Sequence, residues 1–410
     1  MAAATLPSSS APTLPQHPLR NSNFRLLWMG NSISWMGDQF YVVAMPWLIL
    51  QLTGSAVALG TILMTAAVPR AVLMLLGGAM TDRFSARRIM ITTAWLRTLL
   101  VAALGVFVWL HSLQLWHLYL LALGFGAADA FYAPASQTLL PSLLKPEQLP
   151  AANSVAQSTL QITTLVGPAP AAMVVKMFGT AMAFIIDAIS FLFIIGALWK
   201  LPDPPKAKSA ARQGMWRSIK EGLAYVGADV ALRSLLLVVA MINFCIAGPM
   251  SVSLAWIGKE KFGSPLAFAV LTSSLAAGGL IGMLLAGIRK QHKRGLLLLG
   301  VSALIGISVG AMGILNHLWL MSAVLLLTAM ASGFLNIHLI SWFQQRVERV
   351  YLGRVMSVIM FASIGLMPIS LAAAGLALKW SFPGMFAVAG ALVLVVTALA
   401  AAHRPVREID

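Results

Sequence analysis

LPDPPKAKSAARQGMWRSIKEGLAYVGADVALR, residues 201–233, interrupts an otherwise apolar chain of 410 residues. Three prolines and six Lys or Arg side chains make the stretch too polar to enter hydrocarbon, so it reads as a linker carrying a short amphipathic helix. Apolar stretches able to span a bilayer flank it on both sides. Six precede it, at approximately 24–51, 56–80, 87–110, 117–140, 149–175 and 180–200, and six follow, at 234–258, 264–288, 296–315, 318–344, 353–378 and 382–402. Composition agrees, with 59% hydrophobic and 10% charged residues, against a charged fraction near a quarter in soluble proteins. The expected fold is therefore an all-α integral membrane protein of twelve transmembrane helices arranged as two pseudo-symmetric six-helix bundles, which leaves no room for a sizeable soluble catalytic domain.

The domain plan that follows is a disordered cytoplasmic tail over 1–22, a bundle over 23–200, the cytoplasmic linker 201–233, a second bundle over 234–402 and a short cytoplasmic tail over 403–410. Residues 1–22 are rich in Ala, Pro and Ser without a continuous apolar core, and are read as a tail rather than a cleaved signal peptide. If the first residue is cytoplasmic, 22 of the 28 Lys and Arg residues fall on that side, only Lys176, Lys259, Lys261 and Lys379 on the other, and Arg70 and Arg97 within helices. The positive-inside rule then places both termini in the cytoplasm of a multi-pass cell inner (plasma) membrane protein. The net charge of +16 is thus mainly a topology signal, and no nucleic-acid partner is implied. The lone Cys245 excludes intramolecular disulfides, and no Cys-rich metal site is expected.

Six helices on either side of a linker suggest a duplication. At an offset of 203 residues, 131–155 lies ungapped on 334–358, with Phe131/Phe334, Leu149/Leu352, Ser154/Ser357 and Val155/Val358 identical. Parallel halves of this kind place a substrate site at midplane between them.

The loop after the second stretch reads GGAMTDRFSARRIM (77–90). Its small residues allow close helix approach, and Asp82 with Arg83, Arg87 and Arg88 can form charge-assisted bonds across a cytoplasmic gate. With Gly78, this pattern resembles the signature motif of the major facilitator superfamily, although Ser85 replaces its second glycine and Ala86 an arginine. LVGPAPAAMVV (165–175) resembles the exporter motif of that superfamily at Gly167 and Pro168, with Ala171 and Ala172 in place of its later glycines. NFRLLWMGNSISWMGDQF (23–40), DAISFLF (187–193), SIKEGLAYV (218–226) and LGRVMSV (352–358) look like the drug:proton antiporter branch that includes macrolide and enterobactin-type siderophore exporters. The resemblance implies the major facilitator fold and proton-coupled export of bulky amphipathic molecules.

Ionisable groups at membrane depth cost about 2.5 to 3.5 kcal/mol each on insertion scales, so those present must pair, hydrate or change protonation. Asp38, Arg70, Arg97, Asp129 and Asp187 fall near the middle of five N-terminal helices. Asp38 shares a partly polar helical stripe with Asn31, Ser34, Tyr41 and Met45. A lone carboxyl facing an apolar cavity keeps its proton nearer neutral pH than one in water, which suits a proton carrier. Asp38 is therefore the first proton-coupling candidate and Asp129, with Tyr132 and Ser136 on its face, the second, unless an adjacent Arg97 or Arg70 holds it ionised. Arg70, Arg97 and Asp187 are assigned to intramembrane charge pairing. Asn243, Trp256, Asn336 and Phe361 are expected to line the cavity from the second half with Asn31, Ser34, Tyr41 and Tyr132 from the first. His338 is read as a hydrogen-bonded histidine.

No phosphate-binding G-x-x-x-x-G-K-[ST], H-E-x-x-H or G-x-S-x-G pattern occurs, so no cofactor and no enzyme activity are expected, and an ion gradient remains as the energy source. The expected function is secondary active export of a drug, macrolide or siderophore against protons by rocker-switch alternating access. The expected partners are small-molecule substrate, protons and membrane lipids, with the chain monomeric. A lipid or lysophospholipid flippase, an uptake carrier on the same scaffold, and a non-transporting sensor or assembly partner are the competing readings.

Overall fold

A computed structural model describes residues 18–203, 215–287 and 294–409, and every regular element among them is helical. The N-terminal elements are α1 (Ser22–Thr53), α2 (Ala56–Arg83), α3 (Ala86–Trp109), α4 (Leu115–Ser142), α5 (Leu149–Val166) and α6 (Pro168–Lys200). In the intervening stretch lies α7 (Met215–Ala228). The remaining long helices are α8 (Val230–Trp256), α9 (Pro265–Ala286), α10 (Arg294–Ala311), α11 (Leu318–Arg346), α12 (Arg349–Ile364), α13 (Met367–Trp380) and α14 (Phe382–Ala402). Ten segments among the described residues are long and apolar enough to cross a membrane. One of them, Pro146–Lys200, is 55 residues long and breaks at Gly179, whose φ of 82° is a left-handed conformation suited to glycine. The 32-residue α1, interrupted by Asn31, Ser34, Asp38 and Gln39, is not one of the ten.

Asn21 caps α1 by accepting from the amides of Asn23 and Phe24, and it donates to the Leu143 carbonyl at the end of α4, which ties two helix ends on one face. That face, termed the terminal face here, also holds the α2–α3 turn and the ends of α6 and α11. Within the first 22 residues Pro18–Arg20 form a 3-10 turn, and near the other end the Ile409 carbonyl accepts from the Gly295 amide. Helix α7 packs on α12, where Glu221 pairs with Arg354 at 2.6 Å and Tyr225 stacks on Tyr351.

In the N-terminal half α1 and α3 pack on α6, and α2 and α3 pack on α4; in the C-terminal half α9 packs on α11, α10 on α14, and α8 on α13 and α14. The halves meet through α2 against α13, and through α5 and α6 against α9. These contacts cluster on the face opposite the termini. A Cβ on Gly60 would stand 2.6 Å from the Leu371 carbonyl oxygen and 3.0 Å from the Gly375 Cα, so the two backbones touch there. Nearby, the Lys259 ammonium donates to the Leu50 carbonyl, and deeper along the α5–α9 contact Ser273 Oγ donates to the Leu165 carbonyl at 2.8 Å. One apolar core crosses both halves at this end and includes Trp47, Leu59, Phe268, Leu371 and Leu378, whereas a smaller core around Met90, Leu139 and Leu198 belongs to the N-terminal half alone.

Candidate functional site

Two close approaches fix the centre of the site. A Cβ on Gly126 would collide with the Ala66 carbonyl, and one on Gly77 with the Ala130 carbonyl, so α2 and α4 run backbone to backbone. Arg70 and Asp129 lie between these points, and Arg70 Nη1 stands 3.4 Å from Asp129 Oδ2. From α3, Arg97 Nη2 donates to Asp38 Oδ1 at 2.7 Å and lies 3.8 Å from Asp129 Oδ1. The result is a chain of alternating charge, Asp38–Arg97–Asp129–Arg70, built from four helices. Arg97 is its buried member, its guanidinium 4.4 Å from the Phe191 ring centre and 4.8 Å from that of Phe125.

This arrangement changes two expectations. Asp38 is not a lone carboxyl, because Arg97 reaches it, and Asp129 has both arginines as neighbours. Asp187 was expected among the paired charges, yet it forms no ion pair among the described residues, and its buried Oδ2 has no hydrogen-bond partner. Its Oδ1 faces Ser190 Oγ at 3.5 Å and abuts the backbone of Gly37, because α1 and α6 approach closely there, while Arg97 is engaged by Asp38.

Each half carries a concavity, and Arg70 of the charged chain lines the N-terminal one. The N-terminal one, of 900 Å³, is lined by Trp28, Asn31, Trp35, Arg70, Tyr132 and Gln157 among others. The C-terminal one, of 540 Å³, is lined by Asn243, Asn336, Phe343, Met356 and Met360 among others. Asn31 and Tyr132 fall where expected, with Tyr132 Oη donating to Asn31 Oδ1 at 3.0 Å. Asn243 and Asn336 also line a wall.

Other expected lining residues lie elsewhere. Ser34 and Met45 are buried, and Tyr41 stacks on Phe125 with ring centres 4.6 Å apart and meets Phe184 edge-on, so this side of α1 is packed rather than open. The open side is rotated by about one residue and carries Trp28, Asn31 and Trp35. The spacing of seven between the two tryptophans, with Asn31 between them, was the signal available in the sequence. Phe361, 71% exposed, is not among the residues that line either concavity. Trp256 stacks on Phe382, whose ring also meets the Lys261 ammonium, near the opposite face. His338, expected to be hydrogen-bonded, meets the Phe334 ring at a tilt with centres 4.4 Å apart, and its buried Nε2 has no hydrogen-bond partner among the described residues.

Two arginines of the 77–90 loop, Arg87 and Arg88, bond to the end of α6 and the start of the linker. Arg87 donates to the carbonyls of Leu198 and Trp199 at 2.6 and 2.9 Å, satisfying the C-terminus of α6. Arg88 pairs with Asp203 at 3.3 Å, and Ser85, at the glycine position of the motif, donates its hydroxyl to the same carboxylate. The Ser85 hydroxyl, reinforced by Arg88, holds the Asp203 carboxyl below its usual range. Arg83 is exposed, while Gly78 and the Asp82 side chain lie outside the described residues, as does most of the corresponding loop of the second half. Gly167 packs against Gln39 of α1, and the adjoining Leu165 carbonyl carries the bond to α9.

Comparison with known proteins places this geometry. The profile described as transmembrane secretion effector, a major facilitator family, matches residues 13–410. Macrolide efflux protein A of Streptococcus pyogenes is 24% identical over 394 residues, covering 94% of this chain and 97% of the relative. Multidrug efflux pump Tap of Mycolicibacterium fortuitum is 30% identical over 267 residues, 60% of this chain and 62% of that one. Among solved structures, the nucleoside transporter NupG superposes with a TM-score of 0.74 at 11% identity over 93% of this chain and 99% of that one. A bacterial homologue of the iron transporter ferroportin in an inward-facing state gives 0.70 at 16% identity over 94% and 99%. The expected superfamily and the all-helical membrane fold are thus borne out, and the chain belongs to the transmembrane secretion effector family of the major facilitator superfamily.

Proposed function

We propose that the chain exports a bulky amphipathic small molecule, such as a drug, macrolide or siderophore, from the cytoplasm in exchange for protons by rocker-switch alternating access. In this reading residues 23–200 and 234–402 are the two rocking bundles and 201–233 the linker between them. The terminal face is cytoplasmic, the chain works as a monomer, and the contacts around Gly60, Gly375, Lys259 and Ser273 form the closed outer gate. The relatives named as efflux pumps support the direction of transport.

The observation that carries the reading is Arg97, held between two carboxylates beside a cavity. A proton and the Arg97 guanidinium compete for Asp38. With Asp38 ionised, Arg97 is held at 2.7 Å; with Asp38 protonated, the attraction weakens and Asp129, already 3.8 Å away, becomes the stronger partner. Moving one side chain between carboxylates on α1 and α4 changes how α3 is held, which is a route from proton to helix motion. A proton moving down a gradient of 100 mV supplies about 2.3 kcal/mol.

Proteoliposomes containing only this protein, with an imposed pH gradient and a panel of macrolide, cationic dye and siderophore substrates, test the proposal. Substrate is expected to move opposite to the proton. Asp38→Asn should abolish that movement while the protein remains folded. Unchanged flux in the variant removes Asp38 from the mechanism, and absence of flux in the unmodified protein, beside a working control transporter, removes export.

A further inference from the structure

Of the four residues in the charged chain, Arg70 alone reaches the wall of a concavity. Its side chain is 53% exposed and lines the N-terminal concavity, whereas Asp38, Arg97 and Asp129 line neither. Arg70 is the one charged side chain among the described residues that line the two concavities. Its contact with Asp129 is a single nitrogen at 3.4 Å, longer than the 2.7 Å bond of Arg97. A guanidinium has five N–H donors in a planar fork, so this single contact leaves donors that a ligand in the concavity could engage.

Around Arg70 the wall supplies carboxamides, from Asn31, Gln137, Asn153 and Gln157, and the indoles of Trp28 and Trp35. The C-terminal concavity is different in kind: Ile242, Leu335, Phe343, Met356 and Met360 dominate it, and its polar side chains are uncharged. One concavity thus offers a cation with amide donors, and the other an adaptable apolar surface.

Resting on the export reading above, we infer that the transported class is anionic amphiphiles, with a carboxylate, sulfate or phosphate held by Arg70 and the apolar body against the C-terminal half. An oxyanion gains charge-assisted bonds from the guanidinium. A cationic amphiphile meets like charge there and finds no carboxylate on the wall to offset it. The three aspartates against two arginines of the N-terminal half suggest a preference for cations when merely counted, but the count reverses at the cavity surface, because none of the aspartates lines either concavity and one arginine does.

A matched set of dodecyl amphiphiles bearing one fluorophore and differing only in headgroup, as carboxylate, trimethylammonium or neutral methyl amide, tests this directly. Binding of each to the full chain in lipid nanodiscs is read by fluorescence anisotropy, with empty nanodiscs subtracted. The carboxylate probe is expected to bind about tenfold more tightly than the ammonium probe. Arg70→Gln should lower the carboxylate-to-neutral affinity ratio about tenfold, and Arg70→Lys should keep most of it. Asn153→Asp, at an exposed wall position, should shift preference toward the ammonium probe without depending on how the Arg70 variants fold. Equal or tighter ammonium binding by the unmodified chain, or an unchanged ratio in folded Arg70→Gln, overturns the inference. Flux of the same probes in proteoliposomes separates it from the export reading: anion-selective binding without flux refutes export and leaves the charge assignment standing, and flux without charge preference does the reverse.

Discussion

Replacing Arg97 by glutamine tests the charged chain most severely. The Arg97 side chain is 6% exposed, and its pair with Asp38 at 2.7 Å is worth about 6 kcal/mol of gross attraction at an effective dielectric of about 20, with roughly 4 more from Asp129 at 3.8 Å. Burying the guanidinium and carboxylates consumes most of that gain, so the net value of the assembled chain is small. Removing one member is a different matter, because it strands a partner. Asp129 keeps Arg70, but Asp38 loses its only ion-pair partner among the described residues. Arg97→Gln should therefore destabilise by about 3 to 5 kcal/mol. Asp38→Asn alone leaves Arg97 with Asp129 and should cost less, and the double variant should be more stable than Arg97→Gln alone. The assay is reversible unfolding in mixed micelles by titration with dodecyl sulfate, analysed as a double-mutant cycle. A coupling of about 2 kcal/mol is expected, and one below about 0.5 kcal/mol would refute the reasoning, since the two groups would then act independently.

Two further predictions concern the ends of the helices. Because the Asp203 carboxyl is held below its usual range, its bonds to Ser85 and Arg88 stabilise the folded state above the ordinary aspartate value of about 3.9. That contribution disappears as pH falls through the lower folded value, so Asp203→Asn should flatten the acid limb of stability and Ser85→Gly should move it to higher pH, both read from unfolding midpoints followed from above the ordinary aspartate value down through the lower folded one. At the opposite face Gly60→Leu drives a side chain into the Leu371 carbonyl and should wedge α2 from α13. A cysteine placed at Asn336 should then react about fivefold faster with an impermeant maleimide added from that face. The buried native Cys245 gives little background, and an unchanged rate would mean that this contact does not close the path.

Hydropathy and charge asymmetry were enough to predict a chain of many membrane-spanning stretches, because both are properties of single residues added along a segment, whereas the superfamily was legible only as a resemblance carried by motifs such as 77–90 and 165–175. The contents of the site were legible only in part. Asn31, Tyr132, Asn243 and Asn336 line the concavities as their polarity suggests, but the stripe through Ser34 and Tyr41 was placed about one residue too far around α1. A helix wheel alone does not distinguish a polar residue facing water from one satisfied by packing, and here Phe125 and Phe184 occupy the side that Tyr41 faces.

The sequence by itself determined that this protein lives in a bilayer, that its polar stretch at 201–233 divides the apolar segments into two sets, and that five intramembrane charges must be accommodated in the first. It did so because the expense of a polar group in hydrocarbon depends on residue type and depth more than on neighbours. Tertiary structure alone decided the accommodation: Arg97 between Asp38 and Asp129, Asp187 without an ion-pair partner among the described residues, and Arg70 at the cavity wall. Pairing depends on helix rotation and separation to within about an ångström, as the Coulomb energy falls with distance. Those quantities are set by where backbones touch, at Gly126 against Ala66 and Gly77 against Ala130, residues far apart in the chain that only folding brings together.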